Sequence, residues 1–520
     1  MPVGRVAGRR IQRMPETICE VALAGPGDPM STLSAALEQA CGRFGPAIAV
    51  RDGPIQLAYA ELAEHARAVA SLLLAAGLEA NEPVHVQVSN QPQDIVALFG
   101  VWRAGGVAVP VHRNTPAAVA AMFQQRSQAR FLLDLEPSCT DAASLSLMAG
   151  DRPPQRPLLK GAAIIVFTSG STGAPKGVVV AHEAFAAKIA QIDTLLSFGT
   201  DDRTLLVLNI SFSFGLWLSL LTLLRGGTLV MAPKFEPEAF LCTLCDQRIT
   251  RVGMVPTMMR VLFADPRHDA AIDGVTRQGD LRQILIGGES LGQSLAQTIR
   301  RRFTGTDLID IYGLTETATC DFFAFPADYA RYPGSIGRPS PKVRYRIADA
   351  QGQAVAAGAV GELQIRSPYL MRGYLDAPEL TAAAYQDGWF KTGDLGREVD
   401  GQVVELMGRQ KEVISRGGNK VTPAEIEQSI CSHPDVAAAM AVGIADALLG
   451  ERIHLLVVAR AGTQLEIDAL RRHLATRLER YKHPDMFYFA QALPLGRTGK
   501  ADRAQFKALV VSAELTPAPS

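Results

Sequence analysis

The sequence predicts an α/β protein: a large N-terminal domain of parallel-sheet subdomains plus a β-rich subdomain, followed by a small α+β C-terminal domain. Three observations carry this. Short apolar runs alternate with helical stretches up to about residue 340, the texture then turns to glycine-punctuated alternating segments, and a new helix start appears near residue 422.

Residues 59–78, "YAELAEHARAVASLLLAAGL", space Leu62, Ala66, Val69 and Leu73 three or four apart, which gives an amphipathic helix that Gly77 can end. The runs "AAIIVFT", "GTLVMA", "RVGMVPT", "LRQILIGG" and "TDLIDIYG" are each bounded by Gly, Pro or polar residues and read as strands of a mainly parallel sheet. "KVRYRIADAQGQAV" and "GELQIRSPY" read as antiparallel strands and hairpins. In "NKVTPAEIEQSI", Thr422 is expected to N-cap a helix, Pro423 to take its first position and Glu425 to complete a capping box. The polar, glycine-flanked "GRQKEVISRGG" between them marks a domain boundary, and the residues beyond it suffice for a small domain. Residues 1–28 are expected to be a disordered basic tail, and "ELTPAPS" at the other end has low complexity.

Composition narrows the function. The chain has 520 residues with 52 Lys+Arg against 52 Asp+Glu, so no global positive field recommends nucleic acid or an anionic membrane as partner. "LWLSLLTLL" is far shorter than the ~20 residues that span a bilayer. No signal-peptide-like apolar stretch comes after the basic start, and an odd count of 7 cysteines fits a reducing cytoplasm. Cys242 and Cys245 form a lone C-x-x-C without a second pair or a nearby histidine to complete a metal site.

The stretch "FTSGSTGAPKG" (167–177) follows a predicted strand. Its glycines clear space for backbone N–H groups to approach an anion, while Thr168, Ser169, Ser171 and Thr172 add hydroxyls and Lys176 a charge. That suits a polyphosphate, yet the spacing is not that of a P-loop, because Gly170 is followed by Gly173 and Lys176 by Gly177. A flexible surface turn has the same composition, so the stretch alone does not decide.

Four further stretches do: "IYGLTETA" (311–318), "WFKTGDLG" (389–396), "MGRQKEVISRGGNKVTPAEIE" (407–427) and "LPLGRTGKADR" (493–503). With "TSGSTGAPKG" they resemble, in content, order and spacing, the motifs of the adenylate-forming enzymes: acyl- and aryl-CoA synthetases, adenylation domains of nonribosomal peptide synthetases, and luciferase. The resemblance spans roughly residues 30–510 and includes weaker stretches such as "VWRAGGVAVPV" and "GELQIRSPYLMRGYL". It implies a large AMP-binding domain over 29–408, a hinge at 409–412 and a mobile C-terminal domain over 413–512. The implied substrates and cofactors are a carboxylic acid, ATP, Mg²⁺ and a thiol that is either coenzyme A or a phosphopantetheinyl carrier protein.

The resemblance also implies roles for single residues. Ser169, Gly170, Ser171, Thr172 and Gly173, flanked by Thr168 and Lys176, would hold the β- and γ-phosphates. Glu316 would ligate Mg²⁺, a hard cation that wants a carboxylate, and Thr315 would contact the α-phosphate. Tyr312 would lie against the adenine, Asp310 and the Gly287-Gly288-Glu289 backbone would border its edge, and Asp394 and Arg409 would meet the ribose. Lys500 would bridge the attacking carboxylate and ATP, as a compact ammonium on a flexible stem can. Lys411 would be the hinge, and Gly417 and Gly418 would line the thiol's approach. An intact set of Lys500, Glu316, Asp394 and Arg409 argues against a homologue that only binds nucleotide. A luciferase-like oxygenase would still adenylate first.

The resemblance also implies that Phe212, in "NISFSFGLW", is the gate of the acyl pocket, a position that the family fills with an aromatic or a histidine. Amino-acid-activating domains follow that aromatic with Asp, which grips the substrate ammonium, whereas this chain has Ser213. An α-amino group would then bury an unpaired charge at a cost of several kcal/mol. The expected acid therefore lacks one. Met254, Gly287, Ile311 and Gly313 are further expected walls, with Ala318 and Thr319. Being mostly apolar, they suit an aromatic, alicyclic or medium-chain acyl group. "SRGGNKVTPAEIE" is nearer to the CoA-ligase version of its motif, and no fused carrier domain with its "GxxS" serine is present, so coenzyme A is the expected acceptor. A free-standing adenylation enzyme serving a separate carrier is the alternative.

Overall fold

Helix Tyr59–Ala75 turns toward the core the face that its spacing dictates: Leu62, Ala66, Val69 and Leu73 are buried, and Gly77 follows in the left-handed region at φ 85°. Fully burying Leu62, Val69 and Leu73 contributes about 1.5–3 kcal/mol each. Helix Pro92–Arg103 lies against it so closely that a Cβ on Gly100 would fall 2.6 Å from Val69 Cβ. In this computed structural model the described residues are 32–135, 143–147, 153–168, 175–460, 462–496 and 501–518, and they form four sheets. The expected tail (1–28) and most of the glycine- and hydroxyl-rich loop lie outside them, as does Lys500.

The first sheet has nine strands. Its centre is parallel and runs in the order Asp307–Tyr312, Gln283–Gly287, Arg251–Met254, Arg203–Leu206, Thr228–Met231, Ile48–Asp52. The second sheet has seven strands around the parallel set Ala162–Thr168, Val107–His112, Pro83–Val88 and Phe131–Leu135, with Lys176–Ala181 antiparallel beside the first of these. Covered on both faces, these strands read as nearly continuous apolar runs, the pattern that betrays them in the sequence. The third sheet, from Arg344–Ala348, Gly361–Arg366, Trp389–Asp400 and Val403–Arg409, is antiparallel and packs Ile347, Leu363, Ile365 and Val404 into its own core. No helix among the described residues is long and apolar enough to cross a membrane.

From Ile414 onward the chain builds a fourth sheet whose main strands are Val436–Asp446, Gly450–Ala459 and Met486–Ala490. Two apolar clusters fill it, one around Ile426, Leu455 and Leu474, the other around Met440, Tyr488 and Phe506. Strands Ile414–Arg416 and Asn419–Val421 are joined by Gly417 and Gly418 at φ 56° and 80°, a two-residue hairpin turn that needs left-handed backbone at both positions.

Helix Pro423–Cys431 starts where expected with Pro423 in its first turn, but the capping box does not form. Thr422 Oγ1 has no hydrogen-bond partner, and the Glu425 carboxylate instead pairs with Lys482 Nζ at 2.6 Å. A charge-assisted partner wins over a backbone amide there. The segment read as low complexity is partly structured: Leu515 packs on the second apolar cluster and Ala518 N–H donates to Phe487 O at 2.8 Å.

Candidate active site

Three of the sheets meet at the residues that the motifs single out. Strands Gln283–Gly287 and Asp307–Tyr312 of the first sheet run in parallel register with Gly287 beside Ile311, and both end on the same edge. Ligands of open α/β sheets sit at such carboxyl ends. Gly287 has no room for a side chain, because an added Cβ would press into Ile311 O. Gly313 is equally confined: its Cβ would lie 2.8 Å from Thr319 C and closer still to Cys320 N. The motif "YGLTETATC" therefore folds back on itself. Asp321 N–H donates to Tyr312 O at 2.7 Å and Thr319 N–H to Leu314 O at 2.9 Å, while Ala318, Thr319 and Cys320 all take positive φ (54°, 75°, 51°). Three consecutive non-glycine residues in that region are costly backbone.

A buried ion pair braces this segment. Lys188 Nζ lies 3.2 Å from Asp321 Oδ1 and 3.2 Å from Ser340 Oγ, both charged side chains are fully excluded from solvent, and the ammonium sits 5.1 Å from the Tyr369 ring centre. The hydroxyl of Thr317 donates to the other Asp321 oxygen. Burial raises the Asp321 carboxyl and the Lys188 charge lowers it again.

In the second sheet Thr168 and Lys176 are register partners, so the two ends of the glycine- and hydroxyl-rich loop meet. Residues 169–173 of that loop fall outside the described residues. Lys176 Nζ stands 5.1 Å from the centre of the Tyr374 ring, and Tyr374 Oη donates to Glu316 Oε1 at 3.0 Å. From the third sheet, Asp394 pairs with Arg409 in register, its Oδ1 3.0 Å from Arg409 Nε, and its Oδ2 accepts Tyr312 Oη at 2.7 Å. Burial raises the Asp394 carboxyl, opposed by Arg409 and by the Tyr312 hydroxyl. The Tyr312 hydroxyl is driven well above its ordinary value by burial and by Asp394. Lys411, in the short turn Gln410–Glu412, is lowered by burial and by Arg409. Asp310 is almost fully buried, and its carboxyl is pushed up to about 7 by burial, opposed by the Tyr329 hydroxyl and the Ile311 N–H.

Glu316, Tyr312, Asp394, Arg409 and Lys176 are thus one cluster of alternating charge, spread over more than two hundred residues of sequence. The acyl-pocket candidates reach it through Ser213, whose Oγ lies 3.5 Å from Thr315 Oγ1. Phe212 precedes helix Ser213–Leu224 and is half-buried against the main core. Met254 is fully buried in a second apolar cluster, and Ile311, Ala318 and Thr319 are also buried. Gly288 is exposed at φ 84°, and the Glu289 carboxylate is taken up by Thr257 and Arg260.

Sequence reasoning missed Tyr374, Thr257 and the Lys188–Asp321 pair. Tyr374 lies in "GELQIRSPYLMRGYL", but an uncharged aromatic gives no sign of where its hydroxyl points. Lys188 occupies a helix position that pattern alone assigns to a solvated face.

Glu316 fits a divalent cation. It has no salt-bridge partner among the described residues, and its carboxylate, a hard oxygen donor, is held by the Tyr374 hydroxyl through Oε1. No group of three or more His, Cys, Asp or Glu side chains suited to a metal occurs among the described residues, so a cation there would complete its shell with phosphate oxygens and water.

The AMP-binding enzyme family matches residues 37–375, and the AMP-binding enzyme C-terminal domain matches 425–500. The chain belongs to this family, the adenylate-forming superfamily, and is an enzyme of the acyl-CoA synthetase class. Its relatives include a feruloyl-CoA synthase of Amycolatopsis sp, 32% identical over 87% of this chain and 94% of that protein. An indoleacetate–CoA ligase of Aromatoleum aromaticum is 31% identical over 89% of this chain and 95% of its own length. Among solved structures, ATP-bound MatB of Rhodopseudomonas palustris superposes with a TM-score of 0.79 at 26% identity, covering 92% of this chain and 98% of that one.

Proposed function

We propose that the protein is an ATP-dependent, AMP-forming carboxylate–CoA ligase for an aromatic, alicyclic or medium-chain acid without an α-amino group. A carboxylate oxygen of the acid attacks the α-phosphorus of ATP, pyrophosphate leaves, and the acyl-adenylate forms. The sulfur of coenzyme A then attacks the acyl carbon, the thiol proton is lost to solvent or base, and AMP leaves. The observation that carries this is the Glu316–Tyr374–Lys176 and Tyr312–Asp394–Arg409 cluster at the sheet edge.

In this reading Tyr312 stacks on the adenine and Asp394, fixed by Arg409, accepts the ribose hydroxyls. Lys176 and the loop before it hold the terminal phosphates. Thr315 donates to the α-phosphate, and Tyr374 fixes the orientation of Glu316. A Mg²⁺ held by Glu316 would offset phosphate charge as pyrophosphate departs. Lys500 neutralises the approach of the two anions, and rotation about Lys411 then clears it for the thiol, which enters past Gly417 and Gly418.

Two features support an acid without an α-amino group. Ser213 stands where an ammonium-gripping Asp would be, and Asp321, the carboxylate on the adjoining wall segment, is already neutralised by Lys188. The acyl groups named in the feruloyl and indoleacetate relatives are aromatic, in keeping with apolar walls.

The test is incubation of the purified protein with Mg²⁺, ATP, coenzyme A and a mixed pool of aryl, alicyclic and straight-chain acids, followed by mass spectrometry. A new acyl-CoA is the expected product. Acyl-adenylate without thioester would move the acceptor to a carrier protein, and neither product from any acid would overturn the proposal.

A further inference from the structure

The residue bonded to Lys500 is Ala501, and its backbone N–H donates to Glu289 Oε1 at 3.3 Å. Among the described residues, this is the hydrogen bond that crosses from the chain before the Lys411 turn to the chain after it. The acceptor is held in place from its own side. Thr257 Oγ1 lies 2.8 and 3.0 Å from the two Glu289 oxygens, and Arg260 Nη1 lies 3.3 Å from one of them. The Glu289 side chain is 11% exposed, so the carboxylate is largely shielded and its partners are protein groups. Past Ala501 the chain is anchored again: Arg503 grips both oxygens of Glu427, at 2.7 and 2.8 Å, and reaches Glu412, the residue after Lys411, at 2.9 Å.

We infer that Glu289 is a positioning residue whose carboxylate docks the Lys500-bearing segment onto the large domain for adenylation, with Thr257 and Arg260 holding that carboxylate in aim. The inference rests on the role proposed above for Lys500. Arg503 makes the docking consequential, because it ties the same segment to the residue that leaves the hinge, so that the segment and the hinge exit move together. A charged acceptor strengthens a hydrogen bond over a neutral one of the same length, which offsets the long 3.3 Å separation here. Losing it shifts the balance of domain poses away from the adenylating one.

The experiment compares two single-turnover rates in the full-length protein: acyl-adenylate formation from ATP and an acid that the wild type accepts, and thioester formation from supplied acyl-adenylate and coenzyme A. Glu289→Ala is expected to lower the ratio of the first rate to the second about tenfold or more at saturating ATP. Glu289→Gln, which keeps an acceptor oxygen, is expected to recover most of the ratio. If Glu289→Ala does not fold, Thr257→Val serves, with an expected fall of about threefold from the loss of one ordering hydrogen bond. Parallel loss of both rates, an unchanged ratio, or recovery by raising ATP would overturn the docking role. Wild-type protein that makes no acyl-adenylate from any acid would instead defeat the function proposed above.

Discussion

Replacing Gly313 by alanine tests whether the fold-back of the "YGLTE" segment sets the reaction geometry. The new Cβ would lie 2.8 Å from Thr319 C and 3.1 Å from Asp321 N, with Cys320 N nearer still. Ordinary contact is ~3.5–4 Å, so one of the two backbones must yield by about 1 Å. Neither is free to do so cheaply. The strand side is fixed by register to Gln283–Gly287, and the wall side by Asp321, which is locked to Lys188 and Thr317. Overpacking of this kind costs about 1–3 kcal/mol of stability. A 1 Å displacement of groups that position reactants costs ~10²-fold in rate. The assay is acid-dependent ATP–pyrophosphate exchange, with thermal unfolding in parallel. Gly313→Ala is expected to stay folded with a lower midpoint and exchange about a hundredfold slower. Gly274→Ala provides the opposite sign: in helix Asp269–Gln278 its Cβ meets nothing within 4 Å, and helix propensity should add about 1 kcal/mol. A Gly313→Ala enzyme with undiminished exchange would refute the claim that this close approach governs the site.

The remaining predictions concern groups that carry no signature in the sequence. Lys188→Met leaves Asp321 buried without its partner and should cost about 3–5 kcal/mol in thermal or urea unfolding, whereas the double variant Lys188→Met/Asp321→Leu should recover most of it; equal loss in both would mean the pair itself stabilises. His85, 3% exposed with Nε2 2.9 Å from Ser127 Oγ, is held neutral: burial lowers its pKa to about 4, opposed by a hydrogen bond with the Phe123 backbone. Its folded value lies below its unfolded one, so the unfolded chain binds the extra proton as pH falls, and stability is lost from about pH 6.5 down to about pH 4. That contribution is about 3 kcal/mol at most. His85→Gln should therefore flatten the acid limb of a stability–pH curve, and an unaltered limb would contradict the assignment.

How much the sequence discloses depends on the range of the forces involved. Parallel strands buried on both faces declare themselves as apolar runs, and helix Tyr59–Ala75 by its spacing, because those signals are local. The site cluster is legible only as ordered motifs, since Tyr312, Asp394 and Arg409 meet through pairing between distant strands. Tyr374 and Lys188 escape both signals. One is an aromatic whose hydroxyl finds Glu316, the other a lysine whose burial depends on an aspartate 133 residues away. The capping box at Thr422 fails for the same reason: a local rule met a tertiary competitor in Lys482.

The central claim is adenylyl transfer to a carboxylate oxygen, and isotope transfer tests it most directly. With an accepted acid labelled in both carboxylate oxygens with ¹⁸O, ATP and coenzyme A, one labelled oxygen should appear in AMP and the other remain in the thioester carbonyl. Label in inorganic phosphate together with formation of ADP, or AMP free of label, would contradict the account.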